Sequence, residues 1–408
     1  MATVREATEA RQATQATQTS AAVAADLATR AAEVAQIAAR HAGEVDQAAR
    51  FPAESLAALK AHKLLAIQIP RALGGEDAGI GAIADICYRL GQACAATGMM
   101  YAMHQIKIAC LVRHYGGNAV LERLLRHIAA EQLLLASSTT EGSSGGNIRS
   151  SEAPVERAGE RISLTRRASV ISYGAYADGI VTTARRAADA EPSDQVMVLF
   201  LKQDYTLTRL SGWNTLGMRG TCSEGYTLQA SGLADQVLPE PYAQVHARTM
   251  VPCAHLLWGS VWTGIAAGAL TRTQAFIRQA VRGSGGQMPP GAALFSQGLA
   301  QLRTLRGMLS SSIRLYESRM HDAAALATLE FQSTITLTKV QASELAVSIV
   351  LTALRACGLA GYRCEGEFSI ERHLRDVLSA PIMINNERIL ANLAGTLLMS
   401  PLPASVHD

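Results

Sequence analysis

The sequence predicts an α+β protein made of three consecutive parts: an N-terminal helical domain, a central β-domain and a C-terminal helical bundle. Apolar residues recur at helical spacing through residues 21–131 and again from 246 onward. Between these stretches the helical period disappears, and short β-prone runs alternate with turn signals. No strand–helix alternation and no G-x-G-x-x-G fingerprint appear, which excludes a parallel dinucleotide-binding fold. The expected boundaries are a flexible Ala/Thr-rich lead-in over 1–20, helices over 21–131, the β-domain over 132–245 and the bundle over 246–408.

The lead-in lacks the continuous apolar core of a signal peptide and is expected to pass into a helix near residue 20. "LAALKAHKLLAIQIP" and "ICYRLGQACAATGMMYAMHQIKIACLVRHYGG" follow as helical segments, separated by Pro70 and the Gly74-Gly75 pair. At "LLLASSTTEGSSGGNIRSS" the character changes. "RISLTRRASVISY", "DGIVTTAR", "DQVMVLFLKQ", "YTLTRLSGW" and "GYTLQASG" then read as strands. "HLLWGSVWTGIAAGAL", residues 255–270, is shorter than the roughly 20 residues that cross a bilayer and reads as a buried helix. Beyond it, apolar faces interrupted mainly by "RGSGGQMPPGAA" predict a bundle of four long helices.

The formal charge of +3 is spread over 408 residues without a basic run, so no nucleic-acid face is expected. Seven cysteines without a C-x-x-C pair fit reduced thiols in a cytoplasmic protein and predict neither a disulfide framework nor a metal site. A charged fraction of 17% is low and suggests that protein covers part of the surface, as in a homo-oligomer. Neither a membrane span nor a membrane partner is expected.

Several collinear strings resemble the acyl-CoA dehydrogenase superfamily. "TEGSSGGN" (140–147) resembles its T-E-P-G-A-G-S-D tract, "VISY" (170–173) its W-I-T-N strand and "WNTLGMRGTCSEGYTL" (213–228) its L-G-x-R-G-T-G-S stretch. "GLAGYRCEGEFSIERHLRD" (358–376) resembles the G-G-x-G-Y tract that ends in R-D. The resemblance implies an FAD-binding oxidoreductase with helical, β and four-helix-bundle domains, assembled as a dimer or tetramer. By position it implies cofactor contacts from Thr140, Gly142, Ser144, Gly146, Ile171 and Ser172, and from Arg282 in "AVRGSGGQMPPGAALF". Met218 and Trp213 read as core residues, and Arg219 as a hairpin clamp or anion contact.

The resemblance also exposes a gap. Family dehydrogenases remove the substrate α-proton with a carboxylate while hydride passes to flavin N5. The expected position, in "APIMINNERI", holds Ile384, and the alternative position on the first bundle helix holds Ala254. Glu387, His255 and Asn385 are the candidate catalytic replacements, with His104 a weaker one. The primary expectation is an FAD-dependent oxidoreductase acting on an acyl thioester of coenzyme A or a carrier protein, or on a related metabolite. The alternative is a monooxygenase using reduced FMN or FAD as a diffusible cosubstrate from a separate flavin reductase. A third possibility is a non-redox scaffold that has lost flavin.

Overall fold

The computed structural model describes residues 2–141, 148–399, 401–402 and 404–405. Gly142, Ser144 and Gly146 lie outside the described residues. Five helices form the first domain: α1 (Ala2–Gln47), α2 (Ala53–Ala61), α3 (Ile80–Ala93), α4 (Ala95–His114) and α5 (Ala119–Glu131). Helix α1 begins at Ala2 and runs through the Ala/Thr-rich stretch. Asn118 starts α5 as a side-chain cap, accepting from the Val120 and Leu121 amides at 2.8 and 3.1 Å.

The central domain contains two sheets. In the first, β1 (Leu135–Ser138) runs parallel to β4 (Gly179–Arg185), which pairs antiparallel with β5 (Gln195–Leu201). In the second, β2 (Glu156–Ala158), β3 (Arg161–Ile171), β7 (Glu224–Leu233) and β6 (Tyr205–Ser211) are neighbours in that order and antiparallel throughout. The five runs read as strands are β3 to β7. β1 was hidden because its four residues look like the end of an apolar helix and the start of a linker. β5 is buried on both faces, which explains its unbroken apolar run "QVMVLFL".

The chain then passes through α6 (Tyr242–Val245) and a π-helical turn (His246–Met250) into α7 (Val251–Gly283). The rest comprises α8 (Gly291–Arg319), α9 (Ala323–Ala327), α10 (Leu329–Cys357), α11 (Leu359–Tyr362), α12 (Glu371–Val377) and α13 (Asn386–Leu398). Helices α7, α8 and α10 pack against one another and α7 also packs on α3. Of the fourth expected bundle helix, α13, only Asn386 and Ile389 are buried. The apolar stretch of α7 is a core helix, as its burial from Pro252 through Leu270 requires.

Glycines set how closely α7 approaches α3. A methyl group placed on Gly264 would lie 2.2 Å from the Tyr88 carbonyl oxygen, and one on Gly91 would lie 2.4 Å from that of Val261. The two backbones therefore touch where only hydrogen fits. A second joint lies at α12. Asp376 accepts the Met218 amide at 2.6 Å, and Arg375 binds the Asp46 carboxylate, the Leu216 carbonyl at 2.9 Å and Glu371 at 2.6 Å. Gly217 lets this hairpin pass against α12, since a methyl group there would sit 2.1 Å from the Arg375 carbonyl oxygen. Arg219 completes the attachment by donating to the Gln47 carbonyl at 3.3 Å.

Gly264→Ala should force α3 and α7 apart and lower the unfolding free energy by about 1–3 kcal/mol, the usual cost of overpacking. Urea denaturation checks this; an unchanged midpoint and slope would refute the backbone-contact account.

Candidate active site

The joints described above leave a crevice of about 1720 Å³ between the β-domain, the start of α7 and the segment leading into α13. Ordinary small-molecule sites occupy roughly 300–1,000 Å³, so there is room for a large cofactor and a second molecule. Much of the wall is apolar, with Met99, Met103, Val170, Trp258, Met383 and Leu393 among its residues. Among the described lining residues the titratable side chains are Arg149, Arg375, Arg388, His246 and His255; none is a carboxylate.

On the β-domain side, three hydroxyl groups form a connected chain. Thr221 Oγ1 and Ser223 Oγ lie 2.7 Å apart, and Ser223 Oγ donates to Ser172 Oγ at 2.8 Å. All three residues line the crevice, as does Thr140. Ser172 is positioned by the end of β3, where the register with β7 shifts between Ala168 and Ile171. Its predecessor Ile171 is fully buried in the core and does not line the crevice. Val170 is 37% exposed and lines the site. Tyr173 turns into the core, its hydroxyl donating to the Leu135 carbonyl at 3.2 Å. Hydroxyl donors, a broad apolar slot and the available volume together fit an isoalloxazine ring.

The expected replacement bases do not converge. Glu387 is exposed and does not line the crevice. It lies in the first turn of α13, where an acid favours the helix N-terminus. Asn385 caps that helix by accepting the Arg388 amide at 2.8 Å and also lies off the wall. His104 is a core residue: Leu135 donates to its Nδ1 at 3.0 Å and its Nε2 meets the Leu65 carbonyl at 2.8 Å. His255 does line the crevice, but burial, reinforced by the charge of Lys339, pushes it down to about 3. An imidazole held there is a poor proton acceptor near neutral pH. Glu141, the acid nearest the Gly/Ser tract, accepts the Glu152 amide at 2.7 Å and the Ala153 amide at 3.2 Å, and does not line the site. Arg282 faces a separate groove with Arg278, Glu367 and Phe368, away from this crevice.

Ile384 and Ala254 both form part of the wall. Ile384 has φ +51, a left-handed conformation that is costly for a β-branched residue. Lys339 holds it in place: its ammonium donates to the Ile384 carbonyl at 2.7 Å and to Asn386 Oδ1 at 2.6 Å. Asn386 in turn donates to Ser343 at 3.0 Å and Glu344 at 2.6 Å. Lys339 was invisible as a site residue because it reads as one of two charges, with Glu344, in the helical run "TITLTKVQASELAV". A lone lysine on an otherwise buried helix face was the available signal. Met218 and Trp213, read as core, also line the crevice, and the Trp213 indole donates to the Met218 carbonyl at 3.1 Å.

Lys339→Met should leave the Ile384 carbonyl and the Asn386 amide unsatisfied and destabilise the fold by about 1–3 kcal/mol at neutral pH. Burial lowers Lys339 from 10.5 to about 8. The unfolded chain therefore binds more protons through that window, and the lysine's contribution to stability increases as pH rises from about 8 to 10.5. The wild type should gain stability relative to Lys339→Met across this range in urea titrations; parallel pH profiles would contradict the assignment.

Two family descriptions match the chain: the N-terminal domain of acyl-CoA dehydrogenase over residues 20–132 and its C-terminal domain over residues 256–394. Cyclohex-1-ene-1-carbonyl-CoA dehydrogenase of Geobacter metallireducens is 25% identical over 374 residues, covering 89% of this chain and 94% of that protein. Among solved structures, FMN-bound TdsC from Paenibacillus sp. A11-2 superposes with a TM-score of 0.81 at 17% identity, covering 94% of this chain and all of that one. Methanesulfinate monooxygenase MsuC from Pseudomonas fluorescens superposes with a TM-score of 0.79 at 17% identity, covering 92% and 97%. At such identities the superpositions establish the fold. The matched domains, their order and the crevice they enclose place this chain in the acyl-CoA dehydrogenase superfamily of flavin-dependent oxidoreductases.

Proposed function

We propose that this chain is a monooxygenase that takes reduced flavin, FMN or FAD, from a separate reductase and oxygenates an organic substrate beside it. What supports this reading is a wall without a carboxylate among its described residues: Ile384 and Ala254, which the resemblance aligns with the family's base positions, line it, and Glu387 lies outside. Removal of a thioester α-proton needs a base within hydrogen-bond reach of that proton. Reduced flavin, when bound, supplies the two electrons that split dioxygen, one atom entering the substrate and the other leaving as water. The FMN named with TdsC and the monooxygenase activity named for MsuC, both on this fold, support the same reading.

The chain's own residues contribute orientation and dryness. The linked hydroxyls of Thr221, Ser223 and Ser172 offer hydrogen bonds to one edge of a flat cofactor. Trp258, Met383 and Ile384 exclude water from the opposite part of the crevice. His255, kept neutral by burial, offers no charge that would protonate a reacting group. Exposed Ile382, Leu390, Leu398 and Met399 supply an apolar surface in and around α13 that fits a homo-oligomer of two or four chains.

Acyl-thioester dehydrogenation is the second reading, favoured by the name of the Geobacter relative. The two separate in one anaerobic experiment on the purified chain loaded with oxidised FMN or FAD. Straight-chain, branched and cyclic acyl-CoA compounds should leave the flavin absorbance unchanged, and the apo chain should bind chemically reduced FMN or FAD. Bleaching by any of these thioesters would establish dehydrogenation instead.

A further inference from the structure

Lys107 is an anomaly that the site described above does not use. It lies on α4, is 1% exposed, and its ammonium has as its hydrogen-bond partner the Met250 thioether at 3.2 Å. Thioether sulfur is a weak acceptor. Among the described residues no carboxylate forms an ion pair with Lys107, and the thiol of Cys110 packs on the same sulfur at 4.0 Å. Burial lowers this lysine to about 8. A buried ammonium without a counter-charge is costly, and proteins ordinarily pair it.

The surroundings point toward the crevice. Met250, the partner of Lys107, is a wall residue and closes the π-helical turn His246–Met250. Such turns are rare and concentrate at functional positions. His246, at the other end of the turn, and Arg149 line the same part of the site. Burial and the charges of Arg149 and Lys107 push His246 down to about 4, so it is neutral. The Tyr242 hydroxyl, on the preceding helix, is buried without a partner. No carboxylate lines the crevice among the described residues, so the positive field of Lys107 reaches the cavity without compensation from its wall.

We propose that Lys107 is a specificity residue: acting through the Met250 wall, it selects a negatively charged group of the crevice's occupant, either the anionic ring of reduced flavin or the flavin phosphate. This rests on the flavin reading given above. It assigns a role to a side chain that touches no ligand directly and acts by charge.

The test measures anaerobic dissociation constants of oxidised FMN, reduced FMN, oxidised riboflavin and reduced riboflavin for the wild-type chain and Lys107→Met. If the ring is selected, the variant loses about tenfold in affinity for both reduced flavins and keeps its affinity for the oxidised ones. If the phosphate is selected, both FMN forms weaken by a similar factor and both riboflavin forms do not. Melting temperature is recorded in parallel and should stay level or rise, because an unpaired buried charge has been replaced by an apolar side chain of similar length. Lys107→Gln takes the place of Lys107→Met should the latter not fold. Equal effects on all four flavins, or none, would overturn the role of Lys107 while leaving flavin binding intact. Failure of the wild type to bind any of the four would overturn the flavin reading, and this inference with it.

Discussion

The backbone contact between α3 and α7 is the constraint from which the rest of the molecule follows. Gly91 and Gly264 let the two helices meet carbonyl against Cα, which locks the first domain to the bundle along one side of α7. The first turns of α7 then form part of the crevice wall. That placement puts Ala254, His255 and Trp258 on one wall of the crevice. The joint between Arg375, Asp376 and the 216–218 hairpin closes the opposite end.

Within this frame the crevice is organised by charge in an unusual way. Acids near it are spent elsewhere: Glu141 on two backbone amides, Asp46 on Arg375 and Asp376 on the Met218 amide. Two lysines are buried directly behind wall residues, Lys339 behind Ile384 and Lys107 behind Met250. They differ in how their charge is satisfied. Lys339 has two oxygen acceptors and stabilises a strained backbone, whereas Lys107 has only sulfur. The first therefore shapes the wall, and the second leaves a field in the space beyond it.

The described residues of the wall include no carboxylate. Proton abstraction from carbon needs an acceptor whose pKa is near working pH, and neither histidine in the crevice meets that condition. Binding of an electron-rich, anionic cofactor and exclusion of water need no such group. A scaffold of this kind supplies position, while individual side chains supply reactivity.

The sequence by itself determined the three-part order, the five main strands and the burial of the 255–270 helix, since periodicity, turn residues and residue identity are local properties. Ser172 and Thr140 were also legible, from their strings, as residues of the crevice. Only the tertiary structure decided that Glu387 and Asn385 serve the start of α13, that Ile171 points into the core and that Met218 and Trp213 reach the wall. It alone brought Lys107 against the His246–Met250 turn and Lys339 against Ile384, pairs separated by 143 and 45 residues. Burial and field at a charged group depend on what the rest of the chain packs around it, and no local pattern encodes that.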